Sequence, residues 1–165
     1  EIDDIEELIE SFDISLFSKN SVLFNESDLE RLNAKYLKEL PFQELKNNFE
    51  IKYDENFWNI VKGNVDQLSE IDEWFYIINT NHEQKIDVDS DLKKLMKDSL
   101  PDKIDENSWS LWTKKILSLK VIKPKDLFMK LRLILTGRKF GPSMNEMLTL
   151  FSREEILRRL EANCE

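Results

Sequence analysis

Two of the chain's three glycines, Gly137 and Gly141, stand in one short connection, Thr136-Gly137-Arg138-Lys139-Phe140-Gly141-Pro142, between two apolar runs at helical spacing. Before it lie Leu127, Leu131, Ile134 and Leu135; after it lie Met144, Met147, Leu148 and, further on, Ile156 and Leu160. Gly137 can take the positive φ that ends a helix, and Pro142 is expected in the first turn of the next. The backbone is bare at this corner, and Arg138 and Lys139 flank it. Bare backbone beside cations suits single-stranded nucleic acid, whose splayed bases need close approach. An ordinary helix–helix corner has the same outline.

The rest of the chain has the same character. Three glycines, four prolines and 35% charged residues in 165 describe an all-α helical bundle. No apolar run reaches the ~20 residues of a membrane span, and no signal-peptide pattern is present. The single cysteine, Cys164, can form no internal disulfide, in keeping with a reducing, cytoplasmic setting, and it is expected to fray at the end of the chain. The first residue is Glu1 and the opening residues already read as helix, which suggests a piece of a longer chain.

Charge is divided unevenly. Residues 1–110 carry 12 Lys/Arg against 27 Asp/Glu, whereas residues 111–165 carry 12 against 6. A polyanion would meet the C-terminal end and be repelled by the remainder. The same pattern would fit an acidic helical scaffold that docks a basic face on a partner protein.

Spacing and caps give the helices. Ile2, Ile5, Leu8, Ile9 and Phe12 mark one from about Asp3 to Ser11. Ser18-Lys19-Asn20-Ser21 reads as a loop. Ser27 and Glu30 form a capping box for a helix that stops at Pro41, where a short helix starts. Phe57, Trp58 and Val61 mark a short helix ending at Gly63; Leu68 to Ile78 mark a longer one, with Trp58 and Trp74 at core positions. Asp87, Asp89 and Asp91 alternate, but a calcium loop needs Gly at its sixth position and Glu at its twelfth, where Leu92 and Asp98 stand. The aspartates fit better as an N-terminal cap on a helix over 91–100. His82 has no second ligand type beside it. Asn107 or Ser108 caps a helix through Trp109, Trp112 and Ile116, and Ser152 with Glu155 forms a second capping box. No Ser–His–Asp or Cys–His arrangement and no glycine-rich phosphate loop is present, so the residues point to no catalysis.

The run Leu127-Phe128-Met129, Leu131-Arg132, Leu135-Thr136-Gly137-Arg138 and Gly141-Pro142, followed by a Leu-rich helix and Arg158-Arg159-Leu160-Glu161, resembles the C-terminal end of bacterial glutamyl-tRNA synthetases. Phe12-Asp13-Ile14-Ser15, Ser18-Lys19, Phe24-Asn25, Leu29, Leu32-Asn33 and Tyr36-Leu37 resemble the segment just beyond that family's catalytic core. The resemblance implies the anticodon-binding domain of a class I aminoacyl-tRNA synthetase, with a linker over 1–48 near the stem of the tRNA and an anticodon-binding bundle over 49–165. It implies a monomeric parent enzyme that attaches glutamate to tRNA-Glu with ATP and Mg²⁺ on a nucleotide-binding fold, whose two signature motifs do not occur here.

By the same resemblance the anticodon contacts fall on Arg132, Gly141, Pro142 and Met144; Arg138 and Lys139 join them on charge and exposure alone. Asn64 stands where some members carry an Arg that senses the third anticodon base, so an amide replaces a charged fork of donors, and tRNA-Gln becomes a second expected substrate. The chain departs from the family at Asp28 and Arg31, which stand for Lys and Trp; at Pro124, which stiffens a link; and at Lys130, which places a second cation near Arg132.

Overall fold

The computed structural model describes residues 5–16, 25–80, 85–119 and 121–164. Helices dominate it, and extended pairing among the described residues is limited to one bridge between Ile86 and Cys164. The helices are α1 (Ile5–Glu10), α2 (Glu26–Glu39), α3 (Phe42–Asn48), α4 (Glu55–Val61), α5 (Leu68–Asn79), α6 (Ser90–Ser99), α7 (Ser108–Ser118), α8 (Pro124–Thr136), α9 (Met144–Met147) and α10 (Arg153–Asn163). None of the described helices is long and apolar enough to cross a membrane.

Caps explain most of the boundaries. Asp54, Asp89 and Ser152 each accept a hydrogen bond from the backbone N–H three residues on, at 2.9, 2.8 and 3.1 Å. The aspartate expected to cap α6 is therefore Asp89, and the Asp87/Asp89/Asp91 alternation is accounted for as helix initiation. One expected cap is displaced. Asn25, not Ser27, caps α2, accepting from Ser27 N at 3.2 Å. Of the two residues expected to cap α7, Asn107 is the N-cap, without a side-chain hydrogen bond, while the Ser108 hydroxyl lies 3.1 Å from both Lys103 O and Asp105 Oδ1 in the preceding turn. Pro124 occupies the first position of α8 instead of stiffening a link. Pro142 lies before Ser143, the N-cap of α9, and does not open that helix. Asp3, Asp4, Ser18, Lys19, Asn20, Ser21, Phe24 and His82 lie outside the described residues.

The core runs from Leu37 to Cys164, with Trp58, Trp112, Ile116, Leu127, Leu131, Ile134, Leu135, Met147, Ile156 and Leu160 fully buried. Both core indoles satisfy their N–H groups on a backbone carbonyl, Trp58 on Leu40 at 3.2 Å and Trp112 on Met96 at 2.8 Å. Trp74 is buried too, as its spacing indicates. By contrast Ile5, Ile9 and Phe12 of the first segment remain 70%, 69% and 63% exposed, so that amphipathic pattern meets no core here.

Helix α10 is locked in place by one fully buried arginine. Arg159 Nη2 donates to the carbonyls of Ile77, Ile78 and Thr80 at 2.8, 3.0 and 2.8 Å, which closes the C-terminal end of α5. Its Nη1 donates to Leu135 O on α8, and its Nε to the Glu155 carboxylate. The guanidinium carbon lies 4.7 Å from the Phe151 ring. Cys164 is not frayed: it is buried, and Asn163 O accepts from Ile86 N at 2.7 Å to hold the end of the chain against the segment before α6.

Candidate nucleic-acid interface

Helix α8 has two faces. Leu127, Leu131, Ile134 and Leu135 point into the core with no exposure. Lys125, Phe128, Met129 and Arg132 fall at i, i+3, i+4 and i+7, so they share the outward face. That face forms one wall of a cavity of about 390 Å³, closed opposite by Ser143, Met144 and Asn145 at the start of α9 and by Trp109 of α7. The Trp109 and Phe128 rings are 5.9 Å apart and tilted by 46°.

The charge inside this cavity is of one sign. Among the described residues, Lys125 and Arg132 are its only ionisable lining residues, and no carboxylate lines it. Arg132 Nη2 donates to the Pro142 carbonyl at 2.9 Å, tying α8 to the turn that follows it. Its Nη1 is buried with no hydrogen-bond partner. Burial pushes the guanidinium pKa down from its ordinary value, which still leaves an arginine charged at neutral pH. A buried donor left without an acceptor costs on the order of 1–3 kcal/mol, and more when it is charged, which sets Arg132 apart from the other cations of this end. Aromatic and thioether surfaces around one half-buried guanidinium can hold a flat, acceptor-bearing group by stacking and by charge-assisted hydrogen bonding.

The structure therefore brings Arg132, Pro142 and Met144 together, and separates the others from them. The turn opens as the glycines suggest, with Gly137 at φ 67° and Gly141 at φ 144°. The open side of Gly141, however, is taken by the protein: a Cβ built there would sit 2.3 Å from the Trp74 ring. The missing side chain there makes room for the Trp74 ring. Arg138 is not an unpaired cation either, because its Nη2 lies 3.1 Å from Glu73 Oε2 of α5. With Lys139 and the 83% exposed Phe140 it lines a different cavity, of about 450 Å³, on the α5 side. Lys130 donates to the Asp87 carbonyl and so points away from Arg132. Asn64 is exposed at the end of the 3₁₀ turn Lys62–Asn64 and lines neither cavity. Asp28 and Arg31 pair with each other at 3.6 Å on the surface of α2.

Lys125, Phe128, Met129, Trp109, Ser143 and Asn145 were not among the residues expected at the site. The first three were legible as the second face of an amphipathic helix whose polar side carries two large apolar residues, 40% and 36% exposed for Phe128 and Met129. Nothing in sequence order connects Trp109 to them.

Residues 5–164 match the model of a family described as an anticodon binding domain. Glutamate–tRNA ligase 1 of Rickettsia prowazekii (strain Madrid E) is 44% identical over 161 residues, which cover 94% of this chain and 36% of that protein. The protein of the same name from Wolbachia sp. subsp. Brugia malayi (strain TRS) is 38% identical over 160 residues, covering 95% and 36%. The crystal structure of a glutamate tRNA ligase from Elizabethkingia meningosepticum, solved with its amino acid, superposes with a TM-score of 0.76 at 17% identity, over 97% of this chain and 36% of that one. The last is a likeness of fold. The chain spans about a third of the length of the curated relatives it matches.

Proposed function

The chain belongs to the anticodon-binding-domain family, and from that membership we propose that it holds the anticodon loop of a tRNA at the cavity around Arg132, as the RNA-reading part of a glutamate–tRNA ligase. The observation that carries this reading is a cavity lined, among the described residues, by two cations, no carboxylate and two tilted aromatic rings, with one buried donor lacking an acceptor. Unpaired bases stack on such rings and present acceptors at their edges. Arg132 is the base-reading or phosphate-clamping fork, Lys125 a phosphate contact at the rim, and Met144 an apolar wall. Pro142 acts by receiving the Arg132 hydrogen bond, which fixes the fork. Arg138 and Lys139 are secondary phosphate contacts beside Phe140. Residues 1–48 serve as the linker toward the stem.

We assign tRNA-Glu as the partner, with tRNA-Gln as a second one on the strength of the amide at Asn64. The ligase works as a cytoplasmic monomer. Attachment of glutamate, with ATP and Mg²⁺, belongs to another part of the ligase. The described residues offer no group of three or more His, Cys, Asp or Glu side chains able to hold a metal ion, and no step is assigned to them.

Fluorescence titration of the chain with tRNA-Glu tests the reading. Arg132→Ala is expected to weaken binding by about 1–3 kcal/mol and to relax discrimination at one anticodon position. Arg138→Ala is expected to weaken all RNAs alike. Parental binding and parental discrimination by Arg132→Ala would refute the assignment. Glutamate attachment to tRNA-Gln by the ligase tests the second partner, and undetectable charging removes it.

A further inference from the structure

Thr136, the last residue of α8, is 1% exposed and does not line the Arg132 cavity. Its hydroxyl donates to Arg132 O at 2.8 Å, one helical turn back, and the same oxygen accepts from Arg138 N at 3.2 Å. Threonine suits this reach, since β-branching stiffens χ1 and Oγ1 can meet the carbonyl four residues earlier. One side chain thus ties the main chain of Arg132 to the first residue beyond the left-handed Gly137.

The guanidinium of Arg132 depends on where that turn goes. Its Nη2 donates to Pro142 O at 2.9 Å, and Pro142 is buried at the far end of the turn. Residues 132–142 therefore form one loop, closed by the arginine side chain and braced across by Thr136. The far end has its own stop in the Trp74 ring, which fills the space at Gly141. Between these two anchors lie Arg138, Lys139 and Phe140, all exposed.

We propose that Thr136 is a positioning residue for RNA reading: its hydroxyl fixes the turn that presents the Pro142 carbonyl to Arg132, and so sets the direction of the fork and the base discrimination that depends on it. The proposal rests on the RNA-reading assignment of Arg132 above. A long arginine side chain reads a base edge only when its fork is held; donors left to swing keep the charge and lose the direction. Without the Thr136 hydroxyl, Arg138 N loses its acceptor, the exposed part of the turn shifts, and Pro142 O moves off Nη2. The charge beside the RNA survives, so discrimination falls while affinity for poorly matched RNA stays.

Anisotropy titrations of the full chain test this, using anticodon-arm hairpins of tRNA-Glu varied through all four bases at the loop position where Arg132→Ala loses discrimination. Thr136→Val keeps the shape and removes the hydroxyl. Its ratio of best to worst base is expected to fall about ten-fold from the parental value, with binding of the worst base unchanged. Thr136→Ser keeps the hydroxyl and is expected to retain most of the ratio, whatever the lost methyl costs in stability. Thr136→Val combined with Arg132→Ala is expected to discriminate no worse than Arg132→Ala alone, because both act through one fork. A parental ratio in Thr136→Val, a ratio lost in Thr136→Ser, or a further loss in the double variant would overturn the positioning role and leave Arg132 as the reader. Parental discrimination by Arg132→Ala at every loop position would overturn the RNA-reading assignment and this proposal with it.

Discussion

Replacing Arg159 with Met tests what holds the C-terminal helix to the rest of the molecule. Arg159 has no exposure, and its three nitrogens serve five acceptors: the carbonyls of Ile77, Ile78, Thr80 and Leu135, and the Glu155 carboxylate. Methionine restores much of the volume and none of the donors. Removing one partner of a buried pair costs about 3–5 kcal/mol, because the other is left uncompensated. Glu155 keeps Arg158, with Nε and Nη2 at 2.8 and 2.6 Å, which lessens its share. The end of α5 has no such substitute, and a buried carbonyl without a donor costs about 1–3 kcal/mol. A loss of about 4 kcal/mol is therefore expected, a large share of the ~5–15 kcal/mol that holds a typical domain. At the ~1–3 kcal/mol/M usual for urea, that moves the unfolding midpoint down by about 2 M. Urea unfolding followed by circular dichroism measures it. Arg159→Lys should fall between, since one ammonium cannot span acceptors on α5 and α8 together. A loss under about 1 kcal/mol for Arg159→Met would show that apolar packing of α10, and not its arginine, secures the helix.

Three further outcomes follow from the same contacts. Burial pushes the Glu155 carboxyl up, but hydrogen bonds from Arg158 and Arg159 and their charges outweigh it, so its pKa lies below the ordinary 4.5. The stability it contributes is then fully present above that ordinary value and is lost as pH falls through the depressed one; Glu155→Gln should flatten the acid limb of the stability curve, and an unchanged limb would contradict the pairing. Gly141→Ala should cost about 1–3 kcal/mol from overpacking against Trp74, with strain at φ 144° in addition, and Trp74→Leu should recover some of the packing loss when combined with it; additive losses would refute the contact. Salt titration of tRNA binding should give a slope nearer −2 than −6, because about −0.7 per neutralised phosphate applies to single strands and few cations stand at the cavity.

Periodicity was a sound guide wherever a helix face meets the core. Leu127, Leu131, Ile134 and Leu135 bury as their spacing requires, and Trp58 and Trp74 take the core positions assigned to them. Boundaries set by side-chain caps were half legible, since Asn25 and Ser27 both qualify at the start of α2 and only the backbone geometry at Asn25 decides. Cys164 misled because an end of a chain is ordinarily loose; its burial depends on residues around Ile86, nearly eighty positions earlier, which no local pattern reports. At Gly141 the neighbour was equally out of reach of local pattern. A bare backbone shows that something comes close, and the sequence does not say whether it is a ligand or Trp74.

The charge asymmetry needs the same treatment, and it changes what the basic end of the chain means. Much of the cationic excess beyond residue 110 is engaged inside the fold. Arg159 and Arg158 serve Glu155, Arg153 serves Pro101 O and Asp102, Lys115 serves Asp98 O, Lys130 serves Asp87 O and Arg138 serves Glu73. Several of these partners belong to the acidic portion of the chain. Two of them, Glu73 and Asp102, are carboxylates, and the rest, the carbonyls of Asp87, Asp98 and Pro101, are neutral acceptors. Arg132 and Lys125 face a cavity that no acid lines among the described residues. Cations that meet no carboxylate among the described residues around them are better evidence for an anionic partner than a count of basic residues, and that is the ground on which the proposed recognition is placed at the outward face of α8.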